Sequence, residues 1–513
     1  MSLTWSSPVR RGLQGQALAP IPGEIYLHIF GYLDDPDFQF ERYTDKAARD
    51  KRTLSNVAMA CRYFCSLMAP RIFKTLWFQY ELPGNVRVPN YSGFCRAVIK
   101  NENHARSLAS HVRHCMFRYW EHTSNTSDWA RTGLLKVHSS ALSFMPNLTA
   151  LSFFRVAFTP HALRSIGSLE QLTELTVELC TFPDCKAEDF GPLSRLRLQC
   201  LKTDGFSLHC STPARFWSNI NFDRLLSLTT TATTEMFKRV MSFANLLPLE
   251  HLVIQSNHYD VLEGSINPSF FKCIPSLTHL CLVDLTANVD PSNVLHLNHV
   301  ECAPSVAPTL ITGRPVSTIG LSSESLGPHI PFTTEDISRI WAAIPTSTAP
   351  IRKLTVSLEN WCGQIPLIHM SEVLPNLEEF HVKAYNRAID IVSDVEYHSA
   401  VYDISSSFKD IPPVCVVFPA PGNPLQPLFD LSTQVEAVIE LGRGSPRMQT
   451  LRLAEIRWTR GLKGEWEPEL EDWSIFEAMR DEWRKIDGDK RDTLDYGGYW
   501  KSIFGTTSPS IPM

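Results

Sequence analysis

Apolar positions along the chain follow two different periods. Near the start, Ile25, Ile29 and Leu33 recur at every fourth position with Phe30 beside them, the spacing of one apolar stripe on a short helix. Pro22 suits the entry to that helix because its missing N–H would be unpaired there anyway, and Glu24 places a negative charge near the positive end of the helix dipole. Asp34-Asp35-Pro36-Asp37 ends it. A second periodic segment carries Leu54, Val57, Ala58, Cys61 and Cys65 three and four apart with Phe64 flanking, before Ala69-Pro70 disfavours further helix. A third short helix is expected near Ile72 to Leu76. None of these is long enough to be stable alone in water, so their stripes must be buried against one another or against a partner.

After about residue 140 the pattern changes to an apolar residue, two variable positions, an apolar residue, one variable position and another apolar residue, often with a proline just before. Instances are Pro146-x-Leu148-x-x-Leu151-x-Phe153, Leu172-x-x-Leu175-x-Val177, Leu193-x-x-Leu196-x-Leu198, Leu249-x-x-Leu252-x-Ile254 and Pro275-x-Leu277-x-x-Leu280-x-Leu282. Ile351-x-x-Leu354-x-Val356, Pro375-x-Leu377-x-x-Phe380-x-Val382 and Pro446-x-Met448-x-x-Leu451-x-Leu453 continue it, with Val316-x-x-Ile319-x-Leu321 a weaker copy. The last two apolar positions alternate with polar ones as a half-buried strand requires, and the first can plug the same core. Helix-compatible stretches such as Leu134 to Phe144 and His161 to Leu169 lie between copies, so each unit reads as helix, turn, short strand.

Long intervals interrupt the series. The one between Val382 and Met448 holds a Ser-rich stretch, Asp403 to Asp410, and then Ile411 to Phe418, which could supply one buried strand before Pro419 to Pro427 turns the chain. That interval and the Pro/Ser-rich Ala303 to Pro331 read either as surface loops or as insertions shaping a binding face. From Trp458 onward aromatics interleave with acids, and Trp473, Phe476, Met479 and Trp483 have helical spacing, which suits a capping helix over the last repeat or an aromatic patch.

At 513 residues the chain exceeds the size of a single core, and 43% hydrophobic with 20% charged residues is the composition of a chain that mostly folds. A net charge of -6 without a long Lys/Arg run gives no attraction for phosphate backbones or anionic lipid, so neither nucleic acid nor membrane is the expected partner. No apolar segment of spanning length or secretory pattern is evident, which places the expected site of action in the cytoplasm or nucleus. Thirteen cysteines without a CxxC pair read as reduced, mostly buried thiols. No GxSxG, P-loop, HExxH or Gly-rich dinucleotide turn is present, and no catalytic residue or cofactor is expected. The nearest metal-like cluster, His111-x-x-His114-Cys115 with His104 upstream, lacks a second ligand pair at a zinc spacing.

Ile21-Pro22-x-Glu24-Ile25-x-x-x-Ile29-Phe30-x-x-Leu33, then Val57-x-x-x-Cys61-Arg62-x-Phe64, then Ala69-Pro70-x-Ile72-Phe73 together resemble the F-box family. Ile21 stands where that family usually has leucine, and the charged stretch Phe38 to Thr53, read as a solvated loop or a helix extension, lengthens the first link. The later pattern resembles degenerate leucine-rich repeats. Copies one and two lie about 24 residues apart and copies four and five about 28, near that repeat's range, and Cys180 and Asn257 sit at or near its ladder position. The expected fold class is therefore α/β: a disordered tail over 1–20, a small helical F-box head over 21–78, an irregular leucine-rich-repeat-like solenoid over 79–460 and a capping segment over 461–513. The resemblance implies a non-catalytic substrate receptor of a Skp-cullin-F-box ubiquitin ligase. The head would dock a Skp-type adaptor, and through it a cullin scaffold, by way of Ile21, Pro22, Ile25, Ile29, Phe30, Leu33, Val57, Cys61 and Phe64. The repeats would bind a target protein. The alternative is an F-box or repeat scaffold acting outside ubiquitin transfer.

Overall fold

The computed structural model describes residues 10–11, 17–18, 21, 23–31, 45–80, 91–121, 128–205, 212–243, 246–256, 265–283, 285–287, 289–290, 292–321, 334–358, 373–384, 415–418, 438–439, 442–443, 448–453, 456–461 and 466–469. The chain divides into two compact units, 1–249 and 250–513.

The first unit opens with helices α1 (Gly23–Gly31), α2 (Asp45–Ala60) and α3 (Arg62–Ile72). The periodic segment expected as one helix is broken at Cys61, whose backbone is extended (φ -162, ψ 164) and whose Sγ accepts the Phe64 N–H at 3.4 Å as the N-cap of α3. Pro70 does not stop α3. It lies in the last turn, where only its own bond back to Ser66 O is given up, and Phe73 N–H still closes onto Ala69 O at 3.0 Å. The described part of the charged stretch, from Asp45 on, is the first half of α2 rather than a loop. Instead of a third helix near Ile72 to Leu76, the chain enters a strand, Thr75–Gln79, across the expected head boundary. In the segment expected to be a tail, Arg10–Arg11 pair antiparallel with Ala17–Leu18.

Strands Thr75–Gln79, His114–Trp120, Ala150–Val156, Glu174–Glu178, Cys200–Asp204 and Ser227–Thr231 then lie parallel in chain order. Parallel neighbours need long crossovers, and helices such as Asp128–Leu142, Pro160–Gly167 and Thr212–Ser218 supply them. Two in-register columns fill the core: Leu76, Cys115, Leu151, Leu175, Leu201 and Leu228, then Phe78, Phe117, Phe153, Val177, Thr203 and Thr230. Phe117 stacks on Phe153 at 5.0 Å, and Phe153, Phe158 and Phe182 carry the ring contacts onward at 4.6 and 4.8 Å. Gly167 lets its helix approach the next turn closely, since a Cβ there would sit 2.3 Å from Pro192 Cβ.

Beside the strand ladder, one carbonyl ahead of each strand accepts twice from the next repeat. Lys74 O accepts both Arg113 N–H and His114 N–H; Arg113 O accepts from Thr149 and Ala150; Thr149 O from Thr173 and Glu174; Thr173 O from Gln199 and Cys200; Gln199 O from Leu226 and Ser227. The second unit repeats the device at Glu250, Thr278, Asn298, Ser317 and Arg352. These acceptors are unevenly spaced in sequence, so the repeats differ in length while sharing one joint.

In the second unit, strands His251–Gln255, His279–Val283, His299–Cys302, Thr318–Leu321, Lys353–Leu358, Glu379–Ala384, Cys415–Phe418 and Thr450–Leu453 are parallel. Their buried columns include Leu252, Leu280, Val300, Ile319, Leu354 and Phe380. Ile456–Arg460 and Trp466–Glu469 then add on antiparallel, so described residues just past Trp458 are strand; the helical reading of Trp473 to Trp483 lies outside the described residues. The strand expected within Ile411 to Phe418 is present at Cys415–Phe418. The stretch from Ala303 is not all loop: Ala307–Ile311 is helical and Thr318–Leu321 is a full repeat strand.

The expected copy Leu193-x-x-Leu196-x-Leu198 is misplaced. Leu193 lies in a short 3-10 turn, and the strand begins at Cys200, so the repeat reads Leu198-x-x-Leu201-x-Thr203. Leu225-x-x-Leu228-x-Thr230 is the next copy, hidden for the same reason: its third buried position is a threonine. Thr203 Oγ1 donates to Thr230 Oγ1 at 2.9 Å, and Thr230 Oγ1 donates to Thr231 O at 3.0 Å, which satisfies both hydroxyls in the core. Thr230→Val alone is expected to cost about 1–2 kcal/mol because Thr203 loses its acceptor, whereas Thr203→Val with Thr230→Val should be close to neutral. Urea titration of the three chains checks this.

Candidate functional site

The sides of helix α1 differ. Tyr26 sets its ring edge-on to Phe64 at 5.1 Å and to Tyr63 at 5.9 Å, and Arg71 Nη2 donates to Leu27 O at 3.0 Å, so one side is fixed to α3. Another carries Ile25, 48% exposed, and Ile29, 49% exposed, one turn apart, while Leu27, 40% exposed, lies on a different side. Two adjacent aliphatic side chains this open on a short helix mark a surface that gains free energy when covered. Of the other expected adaptor contacts, Ile21, Val57, Cys61 and Phe64 are half-buried; the latter two are engaged in capping α3 and in packing against Tyr26. Phe30 lies on α1. Its side chain, Pro22 and Leu33 lie outside the described residues.

The strands offer a second kind of surface, because residues between the buried columns point the other way. In the first unit the Phe154 ring has the guanidiniums of Arg118 and Arg155 each 5.7 Å from its centroid and the Tyr119 ring edge-on at 5.6 Å. Arg155 also faces Glu121 at 3.7 Å, and Lys202 pairs with Glu178 at 2.9 Å. Tyr119, Arg155, Leu179 and Gly205 occupy the same place in four successive repeats and share a left-handed backbone, with φ of 58, 53, 51 and 58. Three of the four are not glycine, so the fold holds bulky side chains in a conformation that costs each of them about 1–2 kcal/mol.

In the second unit the first residues of three neighbouring strands are histidines. His279 stacks on His299 at 3.9 Å and lies 5.3 Å from His251. Burial, then the neighbouring His299 and His251, draws the His279 pKa down to about 4, with Glu301 opposing. Further along, Lys353 pairs with Glu379 at 2.7 Å and Arg352 with Glu378 at 3.1 Å, cross-strand pairs that fix register on the open face.

No family model matches the chain, and none of the curated proteins matches it either. Two distant likenesses appear among solved structures. A TLR13–ssRNA13 complex is 13% identical over 68% of this chain, with a TM-score of 0.30, and the match spans 56% of that chain. An internalin, inlF, from Listeria monocytogenes is 9% identical over 59% of this chain and 92% of its own, with a TM-score of 0.25. The leucine-rich-repeat-like character of both units rests on their strand register and the carbonyl joints.

The sequence's metal-like cluster is separated by the fold. Cys115 faces the core with Sγ 3.7 Å from Met145 Sδ, while His114 beside it points to the opposite face of the strand. Ser92 Oγ and His138 Nε2 are 3.1 Å apart, but both residues are buried, with His138 stacked on Phe78 at 4.6 Å and edge-on to Trp120 at 5.5 Å, so no substrate reaches the pair. The described cysteines are free thiols. Cys95, Cys180 and Cys185 are buried and pushed up to about 12 by desolvation, whereas Cys65 and Cys200 are exposed.

Proposed function

We propose that the protein is the substrate-receptor subunit of a Skp-cullin-F-box ubiquitin ligase, a non-catalytic member that acts in the cytoplasm or nucleus. The observation that carries the reading is α1: a short helix tied to α3 by Tyr26 and Arg71 that leaves Ile25 and Ile29, one turn apart, exposed. That stripe is the part of the F-box pattern a Skp-type adaptor would cover, and it lies directly ahead of the repeats. The adaptor would tether the chain to a cullin scaffold. The open strand faces would hold a target protein so that its lysines meet a ubiquitin-loaded enzyme. The gain is effective concentration, with no catalytic group contributed by this chain.

The test is retention of a purified Skp-type adaptor by the full chain. Wild type should hold it, and Ile25→Asp with Ile29→Asp should lose it, since each buried aliphatic side chain is worth about 1.5–3 kcal/mol and a charge in the interface costs more. Both positions are exposed in the free chain, so thermal unfolding should not change. Equal retention by both chains, or none by a folded wild type, would remove the ligase reading.

A further inference from the structure

The turns that precede the strands Cys200–Asp204 and Ser227–Thr231 enclose a cleft of about 250 Å³ lined by Arg197, Asn221, Asp223 and Arg224. Its walls are anchored. Arg197 stands between Leu196 and Leu198, each 1% exposed, and Arg224 lies two residues after Phe222 and immediately before Leu225, also 1% exposed each. Burying those neighbours throws both guanidiniums outward. Asn221 Oδ1 accepts the Asp223 N–H at 2.9 Å, which closes the turn, and Arg239 Nη2 donates to Ile220 O at 3.3 Å, tying the following helix to its start. The backbone that carries the donors is therefore held in place before any ligand arrives.

Among the described residues neither Arg197 nor Arg224 has a hydrogen-bond or ion-pair partner, and the Asp223 carboxylate pairs with neither. Two delocalised cations and an amide against one carboxylate leave the cleft with an excess of positive charge and of N–H donors. Guanidinium forks match the paired oxygens of phosphate and carboxylate groups. We infer that this cleft binds an oxyanion group carried by a peptide segment of a partner protein, a phosphate ester or a carboxylate side chain. The cleft belongs to the repeats and stands independently of whether the head docks an adaptor.

The full chain is titrated by fluorescence anisotropy, in buffer of low ionic strength, against three labelled peptides identical except for a central phosphoserine, glutamate or serine. The phosphoserine peptide, or that and the glutamate peptide, should bind more tightly than the serine peptide; the first pattern identifies a phosphate ester, the second shows that a carboxylate suffices. Arg197→Gln and Arg224→Gln should each weaken the tighter complex about tenfold. Asp223→Asn should strengthen it severalfold, a gain that a structural role for the turn would not produce. Arg197, Asp223 and Arg224 are exposed, so the melting temperature should stay with wild type in each variant. Equal binding of the three peptides, or affinities unmoved by either arginine substitution, would overturn the inference.

Discussion

Replacing Arg314 by leucine is expected to lower the stability of the second unit by about 3–5 kcal/mol, the largest single effect foreseen for this chain. Its side chain is 0% exposed and, among the described residues, hydrogen-bonds only to backbone oxygens: Nη2 donates to Asp290 O at 2.8 Å, Nε to Asn293 O at 3.2 Å, and Nη1 to Thr309 O, Leu310 O and Thr312 O at 2.6, 3.1 and 3.4 Å. Burial lowers its pKa, with Asp290 opposing, so desolvating the cation carries a cost that leucine would relieve. The cost of leucine is greater, because each stranded carbonyl forfeits about 1–3 kcal/mol and several are stranded at once. Lysine should rescue little. A single ammonium cannot span the Asp290–Asn293 turn and the end of the Ala307–Ile311 helix together, as the planar guanidinium does. The measurement is urea unfolding of wild type, Arg314→Lys and Arg314→Leu, followed by circular dichroism. Midpoints for both variants within error of wild type would show that those carbonyls find other donors.

The second large effect concerns acid. His138 is 5% exposed, and burial, assisted by the nearby Arg96 charge, holds its pKa at about 4 against an ordinary 6.5. A depressed histidine pKa means that the folded chain resists a proton the unfolded chain accepts. Stability from this group is therefore complete above about pH 6.5 and is lost as pH falls towards 4. Between pH 7 and pH 5 the loss is about 2 kcal/mol. His138→Gln should remove that part of the slope while lowering stability at pH 7 through the lost stack on Phe78. If wild type and variant lose equal stability between pH 7 and pH 5, the histidine is not the group responsible.

How far the fold could be read from sequence depended on what filled the third buried position of each repeat. Where it was Phe153, Val177, Leu282 or Val356, the strand was legible, because an apolar residue was spaced two from another. Thr203 and Thr230 hid two copies, since buried threonines that satisfy each other look like surface residues in a sequence. Cys302 hid Leu297-x-x-Val300-x-Cys302, and the strand His114–Trp120 was obscured because His114-Cys115 also has the residue types of metal ligands. In the head, the break at Cys61 was invisible because the three-and-four spacing runs through it unbroken; only the backbone geometry reveals the cap.

The candidate sites divide in the same way. Ile25 and Ile29 were legible as a stripe because they share one helix, and the partner face of that helix, Tyr26 on Phe64, follows once α3 is placed. Arg197 and Arg224 carried no signal, being a whole repeat apart and joined only by the parallel register of Cys200 with Ser227. The aromatic and arginine cluster around Phe154 is likewise assembled from two strands.

The carbonyl that accepts twice from each following repeat has a consequence for how such a chain changes over generations. Every residue type but proline can supply it, since each inner acceptor also donates its own N–H to the repeat before, so the joint leaves almost no letter in the sequence to be preserved. Crossovers can lengthen or shorten between joints at small entropic cost, and whole repeats can be duplicated or dropped without disturbing the joints on either side. Descendants of one such gene would then keep a common architecture long after their sequences had ceased to align.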